Sequence, residues 1–169
     1  MKKVLFNSVV IFLLCFITHF AFDLFPNFIT VIFSPVNESI FEHFKMLYST
    51  SFIFSLISLL YKKSDNFFIK AYLRSMLSII ILAIIYLPVN YLFGEILPLT
   101  LIILFISIFI TEIIIKNIPN KKHYKVLNII CAILLITNLV VFVILSYNPL
   151  HNYLFYDSQH KVYGLYKSK

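Results

Sequence analysis

The run Asn37-Glu38-Ser39-Ile40-Phe41-Glu42-His43-Phe44-Lys45 puts two carboxylates, an imidazole and an ammonium within nine residues. A sparser pair, His19-x-x-x-Asp23, precedes it at one helical turn. Imidazole and carboxylate are the ligands that divalent metals take, and a metal so held can activate water. On this reading His19, Asp23, Glu38 and His43 are metal ligands. Glu42 is the acid/base or a further ligand, and Lys45 pairs with an anion or a carboxylate. Asn37 and Asp157 belong to the pocket or its lid. No His-Glu-x-x-His motif is present, so the pattern is not that of a zincin protease. Two other readings use the same residues. In one, His19, Glu42 and Lys45 are a polar clamp, hydrogen-bonding across helices. In the other, Glu42 and His43 are carriers in the half-channel of a transporter or accessory subunit.

The local pattern predicts a helix starting at Ser34, with Ser34 as cap and Pro35 at the first helical position. Glu38, Glu42 and Lys45 then share a face at spacings of four and three, and His43 points about 100° away from Glu42. Met46-Leu47-Tyr48 follows without a break, so the helix enters an apolar environment with its charged end near the surface.

That environment is a bilayer. The chain is 61% hydrophobic and 12% charged, against about 25% charged in soluble domains. Its apolar runs are too long for a soluble core, which excludes soluble enzyme folds. Two glycines leave no room for a Gly-rich phosphate loop. The net charge of +7 sits largely in short loops, where topology explains it and a nucleic-acid partner does not. Cys15 and Cys131 lie in apolar spans as small hydrophobes, with no Cys-x-x-Cys spacing. The expected partners are the lipid bilayer and a small-molecule or lipid ligand, and the expected location is the cell membrane.

Five spans are expected, at about 4–22, 39–60, 70–92, 96–116 and 124–146, each near the 20 residues a bilayer demands. No small-x-small cleavage site precedes Asp23, so the first is read as a retained helix. Pro88 and Pro98 bracket the third turn. Lys2, Lys3, Lys62, Lys63, Lys70, Arg74, Lys116, Lys121, Lys122 and Lys125 flank alternate links, while 23–33 and 93–95 hold no Lys or Arg. The positive-inside rule then puts the N-terminus in the cytoplasm and the C-terminus outside. Four of the five histidines and five of the seven acidic residues fall on the outer side, which is why the pocket is sought there. Asp65 and His123 fall in inner loops. Glu112 is read as an i,i+4 pair with Lys116, Lys70 and Arg74 as inner anchors, and Ser51, Ser55 and Ser58 as a packing stripe. Asn128 and Asn138 are read as bridges between helices.

The fold class is therefore an all-α, integral membrane five-helix bundle. Residues 1–146 form the spanning domain and 147–169 an extracytoplasmic tail flap. In that tail Asp157-Ser158-Gln159-His160 is turn chemistry between two aromatic-rich runs, the second including Tyr166, so a short hairpin is expected.

The run at 37–45 resembles the Asn-Glu-Ser-x-Trp-Glu-His-x-Lys signature of a bacterial membrane-protein family, domain of unknown function 6512, with Phe41 in place of Trp. Thr18-His19-Phe20 through Asp23 resembles its Leu-His-Phe-x-Tyr-Glu segment, with Asp23 in place of Glu. Asn148-Pro149-Leu150 through Asp157 and Tyr163-Gly164-Leu165 resemble its closing segment. The resemblance implies a small polytopic membrane protein and singles out His19, Asp23, Asn37, Glu38, Glu42, His43, Lys45 and Asp157. It implies no activity.

Overall fold

A computed structural model describes residues 1–61, 64–119 and 124–165. Lys62, Lys63, Lys121, Lys122, His123 and Tyr166, used above for topology and for the tail, lie outside the described residues.

The described chain is nearly all helix: α1 (Lys2–Leu24), α2 (Phe28–Phe33), α3 (Ile40–Tyr61), α4 (Phe67–Phe93), α5 (Leu97–Lys116) and α6 (Lys125–Tyr147). All but α2 are long and apolar enough to cross a membrane. They fall close to the expected spans because a continuous apolar run of about 20 residues is a local signal. Two features between α1 and α3 differ from expectation. Residues 28–33, read as part of a link, form α2, closed by a capping box. Asn27 Oδ1 accepts from the amides of Ile29 and Thr30, and the Thr30 hydroxyl accepts from the Asn27 amide.

The second difference is where α3 begins. Ser34 is the C-cap of α2, with extended backbone, and α3 starts at Ile40. Ser39 takes the role expected of Ser34, its hydroxyl accepting from the Glu42 amide at 3.4 Å. Ser39-Ile40-Phe41-Glu42 is itself a capping-box sequence, a competing start signal that Ser34-Pro35 obscured. Glu38 therefore precedes the helix and does not share a helical face with Glu42 and Lys45.

Helices α1, α3, α4 and α5 form a four-cornered bundle, with α6 against α3 and α4. Ile11, Cys15, Met46, Leu47, Leu82 and Ile108 fill the centre. Tyr48, Phe67, Ala71 and Leu135 seat α6, whose Leu135 carbonyl accepts the Tyr48 hydroxyl at 3.0 Å. Pro88, inside α4, and Pro98, in the first turn of α5, lie on either side of the turn, as expected, although Pro88 does not itself end α4. The chain reverses at Gly94, whose φ of +73° suits glycine.

The serines of α3 do more than pack. Ser51 reaches Ser78 of α4 at 3.4 Å, and Ser55 accepts from Arg74 at 2.8 Å. Arg74 and Glu112, read as an inner-boundary anchor and an i,i+4 partner of Lys116, are instead buried against each other. Asn7 of α1 also donates to Glu112, at 2.7 Å. The helical spacing to Lys116 was correct but not decisive. Glu112 faces into the bundle, while Lys116, one turn nearer the helix end, is exposed. Asn128 bridges to the start of α4, accepting from the amides of Phe68 and Ile69, and the Asn138 amide points at the Met76 sulfur.

Candidate functional site

The loop 34–39 and the chain after α6 meet at one end of the bundle. Tyr156–Asp157 (β1) pairs antiparallel with Val162–Tyr163 (β2). Asp157 closes the turn between them, its Oδ1 accepting from the amides of Gln159 and His160 at 2.8 and 3.0 Å. Its Oδ2 accepts from the Glu38 amide at 2.9 Å and from His160 Nδ1 at 2.8 Å. Asn37 donates to the Gly164 carbonyl at 2.6 Å, and the Phe41 amide to that of Leu154 at 2.9 Å. Phe155 stacks on Phe41 with ring centres 4.1 Å apart. Gly164 has φ +70°, and a Cβ there would lie 3.0 Å from both Pro149 Cγ and the Ser146 carbonyl. Asn37 and Asp157 thus hold the tail against the loop that carries Glu38.

Burial alone would push the Asp157 carboxyl up. The amides of His160, Glu38 and Gln159, with the His160 ring, outweigh burial and hold it below its ordinary value. Because the folded value is the lower one, this stabilisation is fully present above the ordinary carboxyl pKa. It is lost as pH falls through the folded value, so tail docking weakens below about pH 4. Asp157→Ala should free the tail at neutral pH, at a cost of about 2 kcal/mol. Faster hydrogen exchange at the Glu38 and Phe41 amides would report it, and unchanged exchange would refute it.

The charged residues at this end divide into two groups. In the first, Glu42 and Lys45 are 1% and 0% exposed. Lys45 Nζ reaches Glu42 Oε2 at 2.5 Å, the Val31 carbonyl at 2.9 Å and Ser146 Oγ at 2.8 Å. Ser146 donates to Glu42 Oε1 at 2.5 Å, and the Val36 amide to Oε2 at 3.1 Å. One ion pair therefore ties α2, the loop, α3 and α6 together. Ser146 was not anticipated, since a serine 101 residues from Lys45 gives no local signal.

The second group is His19, Glu38 and His43. Adjacent positions on α3 point about 100° apart, which turns His43 away from the Glu42 network and towards α1. His43 Nδ1 lies 2.9 Å from the Ser39 carbonyl. A carbonyl only accepts, so Nδ1 carries the proton and Nε2 presents its lone pair. His43 Nε2 lies 3.2 Å from His19 Nε2 and 3.5 Å from Glu38 Oε2, and His19 Nε2 lies 3.7 Å from the same oxygen. The His19 ring beside Glu38 holds its carboxyl below the usual range. Burial and Asp157 oppose this, and the neighbouring His43 assists it, so Glu38 is a carboxylate at neutral pH. Asp23 is exposed and lies outside the group.

The group stands between two hollows. Glu38 and His43 line a cavity of about 230 Å³ bounded by α3, α4, α5 and the tail. Glu38, His19 and Asp23 line an open cleft of about 900 Å³ on the α1–α2 side. Neither is lined by Glu42 or Lys45. Asn90 of α4 donates to the Tyr153 hydroxyl at the cavity rim, and Glu95 lies nearby.

A family model described as a family of unknown function (DUF6512) matches residues 1–165. The chain belongs to that family. No curated protein and no solved structure matches it. The DUF6512 match runs from the first residue through the docked tail, so one family model covers both halves of this end of the bundle.

Proposed function

We propose that this is a multi-pass membrane protein that holds a divalent metal ion through His19, Glu38 and His43, at the extracytoplasmic end of the bundle. The three interatomic distances carry the reading. Edges of 3.2, 3.5 and 3.7 Å leave a point about 2.0 Å from all three donor atoms, the distance zinc takes to imidazole and carboxylate. The Ser39 carbonyl on His43 Nδ1 is the outer-shell partner that orients a metal-binding imidazole. The depressed pKa of Glu38 supplies a charged ligand without prior deprotonation. Three protein ligands beside a cavity leave a fourth position open, the arrangement in which zinc polarises a substrate or activates water. Placement outside the cytosol rests on the basic links.

In this reading Glu42 and Lys45 position the site and do not react. Their closed network fixes the start of α3, and so His43, against the loop that bears Glu38. Asp23 is not a ligand. The site is a pocket for a ligand or a hydrolysable substrate, not a half-channel.

Elemental analysis of protein purified without added chelator should find one zinc-like ion per chain. His19→Ala and His43→Ala should each lower affinity by at least about 100-fold, the upper end for disturbing an outer-shell partner. Asp23→Ala should leave the stoichiometry unchanged. Cobalt substitution should give the visible spectrum of a low-coordinate site in the parent protein and not in the histidine variants. Parent protein that refuses both metals would end the proposal.

A further inference from the structure

The 230 Å³ cavity has two chemically different ends. Counted along α3, α4 and α5, Met46, Leu82 and Leu104 are the lining residues furthest from the end of the bundle that carries the tail and make up the deep end. Glu38, His43, Asn90 and Tyr153 stand at the shallow end. Leu82 and Asn90 are eight residues apart on α4, so the two ends lie about 12 Å apart. A polar solute would lose its hydration at the deep end with few groups to replace it. The walls are three helices long enough to span a bilayer, so lipid is the neighbouring phase. The volume is below that of pockets for drug-sized ligands, which leaves room for one chain and not two.

We infer that this cavity binds a single-chain amphiphile with an anionic head, of the fatty-acid type, drawn from the bilayer. Its chain lies against Met46, Leu82 and Leu104, and its head lies beside His43 and Glu38. The head assignment rests on the metal reading above; the chain assignment does not. Glu38 and Glu95 both line the cavity, and two carboxylates repel an anion. A divalent ion between His19, Glu38 and His43 reverses the local sign and makes a carboxylate or phosphate head the complementary one. The Asn90–Tyr153 hydrogen bond joins α4 to the tail at the polar end of this cavity.

The test uses the full chain in lipid nanodiscs, loaded with zinc and exposed to a diazirine-bearing laurate, with labelled peptides mapped by mass spectrometry. Label should concentrate on α3, α4 and α5 around Met46, Leu82 and Leu104. Leu104→Trp, which fills the deep end, should cut it at least fivefold with zinc content retained. Ile40→Trp, at a half-buried position near the mouth, should do the same with less risk to folding. Removing zinc by chelation should cut laurate labelling to a similar degree and leave a dodecyl-ammonium probe unaffected. Label spread over the lipid-facing helix surfaces, or insensitive to both tryptophans, would overturn the inference. Tryptophan-sensitive labelling that ignores chelation would overturn the anionic head. If the protein holds no zinc but the tryptophans still block labelling, the metal reading falls and the chain's place stands.

Discussion

Lys45→Met should destabilise the protein by about 3 kcal/mol, read as a shifted midpoint when the protein is unfolded by SDS in mixed micelles. The lysine ammonium is fully buried and has three partners from three elements: Glu42, the Val31 carbonyl and Ser146. Methionine fills a similar volume but returns none of these bonds. The Glu42 carboxylate is then left with the Ser146 hydroxyl and the Val36 amide as donors. Breaking a buried pair from one side costs about 3–5 kcal/mol, because the surviving charge stays desolvated. The lower end is expected here. Hydrogen bonds between helices in membranes are individually modest, and Glu42 sits within the first turn of α3, where a small shift reaches water. Removing both charges with Lys45→Met/Glu42→Met should recover much of the loss, since no orphan charge remains. A single variant within 0.5 kcal/mol of the parent would mean that the pair does not form. Metal affinity should fall in Lys45→Met through the misplaced start of α3, and in the double variant it should stay below the parent's but measurable, since the network that fixes that start is gone while His19, Glu38 and His43 remain. A ligand role for Glu42 would leave the double variant metal-free.

What could be read from the sequence was whatever is local. The five long helices lie within about three residues of their expected ends because hydropathy over 20 residues declares a span without help from the rest of the chain. Gathering His19, Glu38, Glu42, His43 and Lys45 at one end followed from counting crossings. How those residues divide did not follow. A helix begun at Ser34 puts Glu38 and Glu42 on one face, whereas the structure gives Glu38 to the histidines and Glu42 to Lys45. The deciding contact is the Val36 amide on Glu42, together with the Ser39 cap, and both form only once the loop is folded back. Ser146 and Arg74 were missed as partners for a related reason. They meet Glu42 and Glu112 across 104 and 38 residues, and pairings at that range leave no periodic trace. Glu42 and Lys45 tie helices together as a clamp would, but with Ser146 in place of the expected His19, which lies with Glu38 and His43.

The second large effect is expected at the opposite end of the bundle. Arg74→Met should cost about 3 kcal/mol in the same SDS measurement. Among the described residues, the Arg74 guanidinium gives Glu112 two of its three hydrogen bonds; it also bonds Ser55 at 2.8 Å and lies 5.2 Å from the centre of the Phe54 ring. Without it, Glu112 keeps the Asn7 amide, at 2.7 Å, as its one donor among the described residues, and stays buried. A buried carboxylate short of donors draws in water, which loosens the contact of α1 and α5 with α4. Arg74→Met/Glu112→Met should again recover most of the stability. Zinc content should not change in either variant. Arg74 and Asn90 are sixteen residues apart on α4, so the two polar ends are about 24 Å apart, and a packed helix in between need not move. That separation also tells a pocket from a pathway. If the two ends were gates of one route, Arg74→Met would alter metal retention or laurate labelling at the far end. If the proposed pocket is closed off below Leu82, only stability responds.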